Sequence, residues 1–327
     1  MTLLAIDHQT LTQIAAYVGA AAAMGFGAIG AATGEGFTAS RASEAIARNQ
    51  EHAGVIIKNM LVGQAISESA SIFSLVIAIL LLFMDVSEPS IVKAAALLAA
   101  GLCMGFGAIG SGVGAGVPAG RSCLAIARQP ATAGRITTNM LIGTAVCQTP
   151  AIFAMVVALI LLFKPIGSVA AFPTCAALIG AGLSTGLAAI GSGYGGGMAA
   201  GASCEGVARQ PETTTAVTTT MLVGQAVSQT PSVFGLLISF ILIFKSFPES
   251  TTLSASVGLL SAGLCMGLGG IGPGIGNGMA AEGAVRWVAR RIDYAGDLMR
   301  IMLVGQAVSQ STAIYAMVVS LVLIFVV

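Results

Sequence analysis

Apolar residues run through this chain in long, nearly unbroken stretches, and the polar positions between them recur at a regular interval. Each stretch exceeds the roughly 20 residues a helix needs to cross a hydrocarbon layer. The pattern predicts helices over 11–47, 53–84, 91–127, 133–164, 170–208, 214–245, 252–289 and 295–326. The interval reflects an internal repeat. GAIG at 27–30 and 107–110 is followed by AAIG at 188–191 and GGIG at 269–272, a step of 80 or 81 residues. A second block keeps that step: MLVGQAISES at 60–69, MLIGTAVCQT at 140–149, MLVGQAVSQT at 221–230 and MLVGQAVSQS at 302–311. A period this long holds two spanning helices and a turn. The expected fold is therefore all-α and integral to a membrane. Eight transmembrane helices form four tandem antiparallel hairpins, at 1–87, 88–167, 168–248 and 249–327.

The turns carry their own chemistry. AIARNQ (45–50), AIARQP (125–130), GVARQP (206–211) and WVARR (287–291) end each first helix in arginine, twice followed by proline. Cations suit a helix C-terminus, and proline stops a helix. Of 14 Lys and Arg, 11 lie at or near these turns, among them Arg41, Arg48, Arg121 and Arg286; Lys93, Lys164 and Lys245 lie at the other end. The positive-inside tendency then places the turns in the cytoplasm and both termini on the opposite side.

Composition sharpens the picture without changing it. Only 8% of residues are charged and 56% are hydrophobic, against about 25% charged in soluble domains. No stretch reads as a soluble domain or a cleavable signal peptide. The six cysteines sit in or near apolar segments without metal-ligand spacing, which suits small buried fillers. Glycine recurs at alternate positions in each first helix, as in Gly110, Gly112, Gly114 and Gly116. No strand precedes and no lysine follows these strings, so they are not phosphate loops. Glycine at such density covers more than one face of a helix. The first helices are thus expected to touch neighbours on both sides, as in a closed inner ring.

Two carboxylates break the apolar pattern. Glu35 and Glu68 lie in mid-helix, and an ionisable residue at that depth marks a functional site. The positions equivalent to Glu68 are Gln148, Gln229 and Gln310, so one hairpin in four keeps the acid. The counterparts of Glu35 are Ala115, Gly196 and Asn277. The two acids are equally far from the first turn, so antiparallel helices bring them to one depth. Gln64, Ser67 and Ser69 gather beside them. Such an oxygen-rich, His- and Cys-free set suits Na⁺ or a proton rather than a transition metal. Two neighbouring carboxylates cannot both ionise cheaply, so one holds a proton. The plainer alternative is a protonated Glu68 that only ties the hairpin together. Glutamine does that job elsewhere in the chain without ionising.

Together, the glycine ladder, the A-R-Q-P turn and GQAISESASIF (63–73) make the chain resemble the proteolipid (rotor-ring) component of rotary ATPases, F- or V-type. The resemblance covers four fused copies and essentially the whole length. It implies a homo-oligomeric ring of hairpins, glycine-rich helices inside and acid-bearing helices outside. Such a ring turns against a stator subunit and docks by its turns on a central stalk. It sits in membrane lipid, with no organic cofactor and no nucleic acid. The Q-x-x-x-E-S stretch resembles the Na⁺-binding branch. That likeness makes Glu68 the ligand carboxylate and puts Glu35 at the glutamine position. Ile66 and Ser69 then offer a carbonyl and a hydroxyl. Across a hairpin boundary, the carbonyl and hydroxyl come either from Val146 and Thr149 or from Val308 and Ser311 of a neighbouring chain. Glutamate in place of glutamine at 35 departs from that branch. Phenylalanine stands for the family's tyrosine at Phe73, Phe153 and Phe234, and only Tyr315 keeps it. Pro150 and Pro231, just past the site position, are expected to bend their helices.

The function expected is a rotor that carries Na⁺ or H⁺, one ion per chain, with no nucleotide site. Three ATP drive a turn in this family, and one acid per four hairpins gives each ion more free energy. That favours ATP-driven pumping over synthesis; an H⁺ rotor of a synthase is the alternative. A secondary transporter would show two related bundles with broken helices. A purely structural ring leaves Glu68 unexplained.

Overall fold

A computed structural model describes residues 7–84, 89–165, 171–248 and 253–326. Its α-helices are α1 (His8–Arg48), α2 (Ala53–Phe83), α3 (Ile91–Arg128), α4 (Ala133–Cys147), α5 (Thr149–Phe163), α6 (Ala171–Arg209), α7 (Thr214–Ser228), α8 (Thr230–Phe244), α9 (Leu253–Val288) and α10 (Ala295–Val326). They fold as α1–α2, α3–α4–α5, α6–α7–α8 and α9–α10. Each hairpin closes through one 3₁₀ turn, at Gln50–His52, Pro130–Thr132, Pro211–Thr213 and Ile292–Tyr294. Among the described residues, eight spans are long and apolar enough to cross a membrane. The divisions expected at 87/88, 167/168 and 248/249, and the helix starts at 170 and 252, fall at or beside residues outside the described ones.

The second helices of hairpins two and three are not continuous over 133–164 and 214–245. Each is interrupted at Gln148 or Gln229, next to the proline expected to bend it. Pro150 and Pro231 lack an N–H, and their rings crowd the carbonyl four residues back. Gln148 keeps near-helical angles, φ −79° and ψ −15°, so the span continues through the interruption. α2 and α10 have no such proline and run unbroken.

The first helices stand side by side in chain order. α3 packs between α1 and α6, and α6 between α3 and α9. Glycine permits this approach. A Cβ on Gly110 would stand 2.5 Å from Ile190 Cα, so any side chain there would push α3 off α6. The second helices form an outer row, each seated over two inner helices: α2 on α1 and α3, α4–α5 on α3 and α6, α7–α8 on α6 and α9. α10 has only α9 beneath it. The row is curved, since Thr33 and Phe37 of α1 share one cavity of about 510 Å³ with Arg286 of α9. It is an arc within one chain, not the closed ring expected of the assembly. The ends of the arc are open.

Polar groups tie the helices at both ends, within hairpin two through Lys93 and between successive hairpins elsewhere. Lys93 donates to Leu162 O at 2.5 Å and Lys245 to Ile324 O at 2.7 Å, and Lys164 donates to Ile243 O. These three lysines thus cap helix C-termini, where carbonyls lack helical partners. Burial pushes the Lys164 ammonium below the usual lysine value. Nearer the turns, Thr137 donates to Asn59 Oδ1 at 2.8 Å and Thr218 to Asn139 Oδ1 at 2.6 Å.

One tie skips a hairpin. Arg121 of α3 reaches across α6 to Glu282 of α9 at 2.6 Å, and Arg286 holds the same carboxylate at 2.6 Å. Glu205 of α6 lies 3.9 Å from Arg121. Gly201 makes the crossing possible: a Cβ there would sit 2.6 Å from Arg121 Cδ. The Arg121 and Glu282 side chains are only 20% and 12% exposed. This ion pair is therefore less screened than a surface pair.

Candidate functional site

Glu68 lies at the middle of α2, on an exposed face. Glu35 of α1 is half-buried, on the helix against which α2 packs. The antiparallel hairpin thus brings the two acids together at one depth. Gln64, one turn before Glu68, donates to the backbone carbonyl of Glu35 at 3.1 Å. It braces α1 against α2 rather than turning its amide N–H to the carboxylates. Ser69 donates to Ile66 O at 2.7 Å, and Ser71 to Glu68 O at 2.9 Å. Ser67 is buried.

The Ile66 carbonyl has a second donor from across the boundary. Gln148 of hairpin two gives it Nε2–H at 3.0 Å. At the third boundary Asn277 of hairpin four donates to Val227 O of hairpin three at 3.4 Å, and to Gln310 Oε1 of its own hairpin at 2.7 Å. The direction is the same at both places. A side chain of the later hairpin meets the carbonyl that the earlier one presents two residues before its own acid position. The middle boundary differs: Gln229 turns inward to Ser192 O at 3.4 Å.

Val146 and Thr149 are half-buried in hairpin two. No hydrogen bond joins either to Glu68 among the described residues. Val146 occupies the position of Ile66 in the repeat. Val308 and Ser311 lie at the open end, on α10. Ser311 donates to Val308 O at 2.7 Å, and Val308 is exposed.

Some polar groups escaped the sequence reading. Gln225 donates to Gly143 O and Gly196 O, both at 3.0 Å. Gln306 repeats this with Gly224 O at 3.0 Å and Asn277 O at 2.9 Å. One amide thus ties an outer helix to its own inner helix and to the preceding outer one. The repeat held the signal, since Gln64, Gln225 and Gln306 share one register and only Thr144 departs from it. Glu205 and Glu282 were also missed; they lie one to two turns short of the arginine-rich turns.

Residues 18–81, 98–161, 179–242 and 260–323 each match the family of ATP synthase C subunits. The ATP synthase c-subunit of Prochlorococcus marinus (strain AS9601) is 47% identical over 77 residues, covering 24% of this chain and 93% of the relative. That of Alkaliphilus oremlandii (strain OhILAs) is 47% identical over 66 residues, 20% of this chain and 74% of the relative. That of Natranaerobius thermophilus (strain ATCC BAA-1301 / DSM 18059 / JW/NM-WN-LF) is 47% identical over 77 residues, 24% of this chain and 86% of the relative. A whole relative thus corresponds to one hairpin. Four hairpins in tandem each carry the pattern, and the chain belongs to the family of ATP synthase C subunits.

Proposed function

We propose that this chain is the rotor-ring subunit of a rotary ATPase membrane sector and carries one Na⁺ or H⁺ per chain on Glu68. Copies close head to tail into a ring that turns against a stator subunit, with the hairpin turns cytoplasmic and docked on a central stalk. The carrying observation is that Glu68 lies at one open end of the arc and its expected partners lie at the other.

The two ends are complementary. α3 packs on α1 through Gly101, Gly105, Gly112 and Gly116. The same register in α1 reads Ala21, Gly25, Ala32 and Gly36, and a Cβ on Gly25 or Gly36 meets nothing within 4 Å. At the other end, Gly191 and Gly195 bring α6 onto α9, and their counterparts in α9 are Gly272 and Gly276. Gly272 is likewise open. Two unlike faces that fit each other make a heterologous contact, and such contacts form a ring when the rotation between copies closes. The direction of the internal boundaries supports a choice of partners for Glu68. By analogy with Gln148 on Ile66, it meets Val308 O and Ser311 of the preceding chain. Glu35 and Ser69 complete an oxygen set from its own hairpin.

The relatives are named for ATP synthase, which favours synthesis. One acid in four stations favours pumping, because few ions cross per turn and each receives more free energy. We read the chain as the rotor of an ATP-driven pump. Carbodiimide labelling of Glu68 in the assembled complex tests the site. Na⁺ that slows labelling identifies a sodium rotor; labelling that ignores Na⁺ and falls as pH rises identifies a proton rotor. Glu68→Gln abolishes both labelling at this position and ATP-driven transport. A variant that still transports ions at the normal rate refutes the reading.

A further inference from the structure

We propose that the station between hairpins three and four is a latent monovalent-cation site, held shut by the Asn277 amide in place of an ion. This rests on the rotor reading above, and deepens it by stating what the acid-free stations contain.

At the working station an ion needs two oxygens in particular: the side chain at the acid position and the carbonyl of the preceding hairpin. At the third boundary these are Gln310 Oε1 and Val227 O. One nitrogen, Asn277 Nδ2, lies between them, 2.7 Å from the first and 3.4 Å from the second. An amide nitrogen has two hydrogens to give and no lone pair to offer a cation. It satisfies both oxygens as a bound cation does, while staying neutral and tethered. Val227 O is open to such a partner because Pro231 has no N–H to supply the helical bond.

The same cluster holds acceptors without donors. Asn277 Oδ1 and Gln306 Oε1 are buried and unpartnered, and both residues are 0% exposed. Gln310 Nε2 is buried and unpartnered too. Orphaned polar atoms at this depth are costly and call for a partner. Rotation of the Asn277 amide brings Oδ1 toward Val227 O and the acid position. The three oxygens then face one point, and only the carboxylate is missing. The middle station is not equivalent. Gly196 supplies no side-chain oxygen there, and Gln229 is turned to Ser192 O.

The experiment moves the acid within the chain. Two double variants, Glu68→Gln with Gln310→Glu and Glu68→Gln with Gln229→Glu, keep the number of carboxylates constant. Each is assembled into the full complex and treated with carbodiimide at graded NaCl and pH. With the acid at 310, labelling at that residue is expected to respond to NaCl and pH as Glu68 does in the unaltered chain. With the acid at 229, that protection is expected to be lost. Protection at both positions, or at neither, overturns the proposal. So does failure of the Gln310→Glu variant to assemble, because the station then has no room for a carboxylate. If unaltered Glu68 itself shows no ion-dependent labelling, the rotor reading fails instead.

Discussion

Gln225 shows what a single buried amide does in this fold. Its Nε2 binds two backbone carbonyls on different helices, each at 3.0 Å. Interhelical hydrogen bonds in membranes average about 0.6 kcal/mol each and reach about 1.7 kcal/mol. Gln225→Leu is therefore expected to weaken the boundary between hairpins two and three by roughly 1–2 kcal/mol. Denaturant unfolding in detergent measures it. Glu35 has a different job. In the proposed site it stands beside Glu68 as an oxygen, so Glu35→Gln is expected to keep ion-protected labelling of Glu68 and Glu35→Leu to weaken it. Equal protection in both variants would remove Glu35 from the site. The acids themselves were legible in the sequence because a repeat exposes an exception: three glutamines frame one glutamate. The partner carbonyl proposed for Glu68 was not legible. Val146 and Val308 hold the same register, and a linear period has no direction across the row.

At the scale of helices, the approach of α3 to α6 is set by what glycine leaves out. Gly110→Val places its side chain against the backbone of Ile190, where a Cβ alone already stands 2.5 Å from Cα. Overpacking of this kind costs about 1–3 kcal/mol and forces the backbone apart. The expected result is loss of assembled complex on native gels, while Gly25→Val leaves the isolated chain folded and blocks only its union with the next. Helix positions, turns and glycine faces followed from the sequence because each repeats four times with the same local chemistry. The prolines announced a disturbance near Gln148 and Gln229, where the helices are interrupted. The split into separate helices was less visible, since it depends on the angles each span adopts around them.

For the whole molecule, the feature hardest to foresee is the tie from Arg121 to Glu282, 161 residues apart. Pattern and period give no hint of it, because it joins unlike positions of non-adjacent hairpins. It forms only because Gly201 leaves a gap for the guanidinium. Breaking a partly buried pair by removing one partner leaves a charge without its mate. Glu282→Gln is expected to loosen the row near the turns without touching Glu68. Electron microscopy of purified complexes then shows a spread in the number of chains per circle, where the unaltered chain gives one number. A single unchanged number would free this contact of that role. The tie spans three of the four hairpins and so fixes how sharply each chain turns. Angle per chain decides how many chains complete a revolution, and with the one ion per chain proposed above, that count is how many ions travel for each full cycle of the motor. Two side chains near the turns, remote from the path the ion takes, would thus set the machine's gearing.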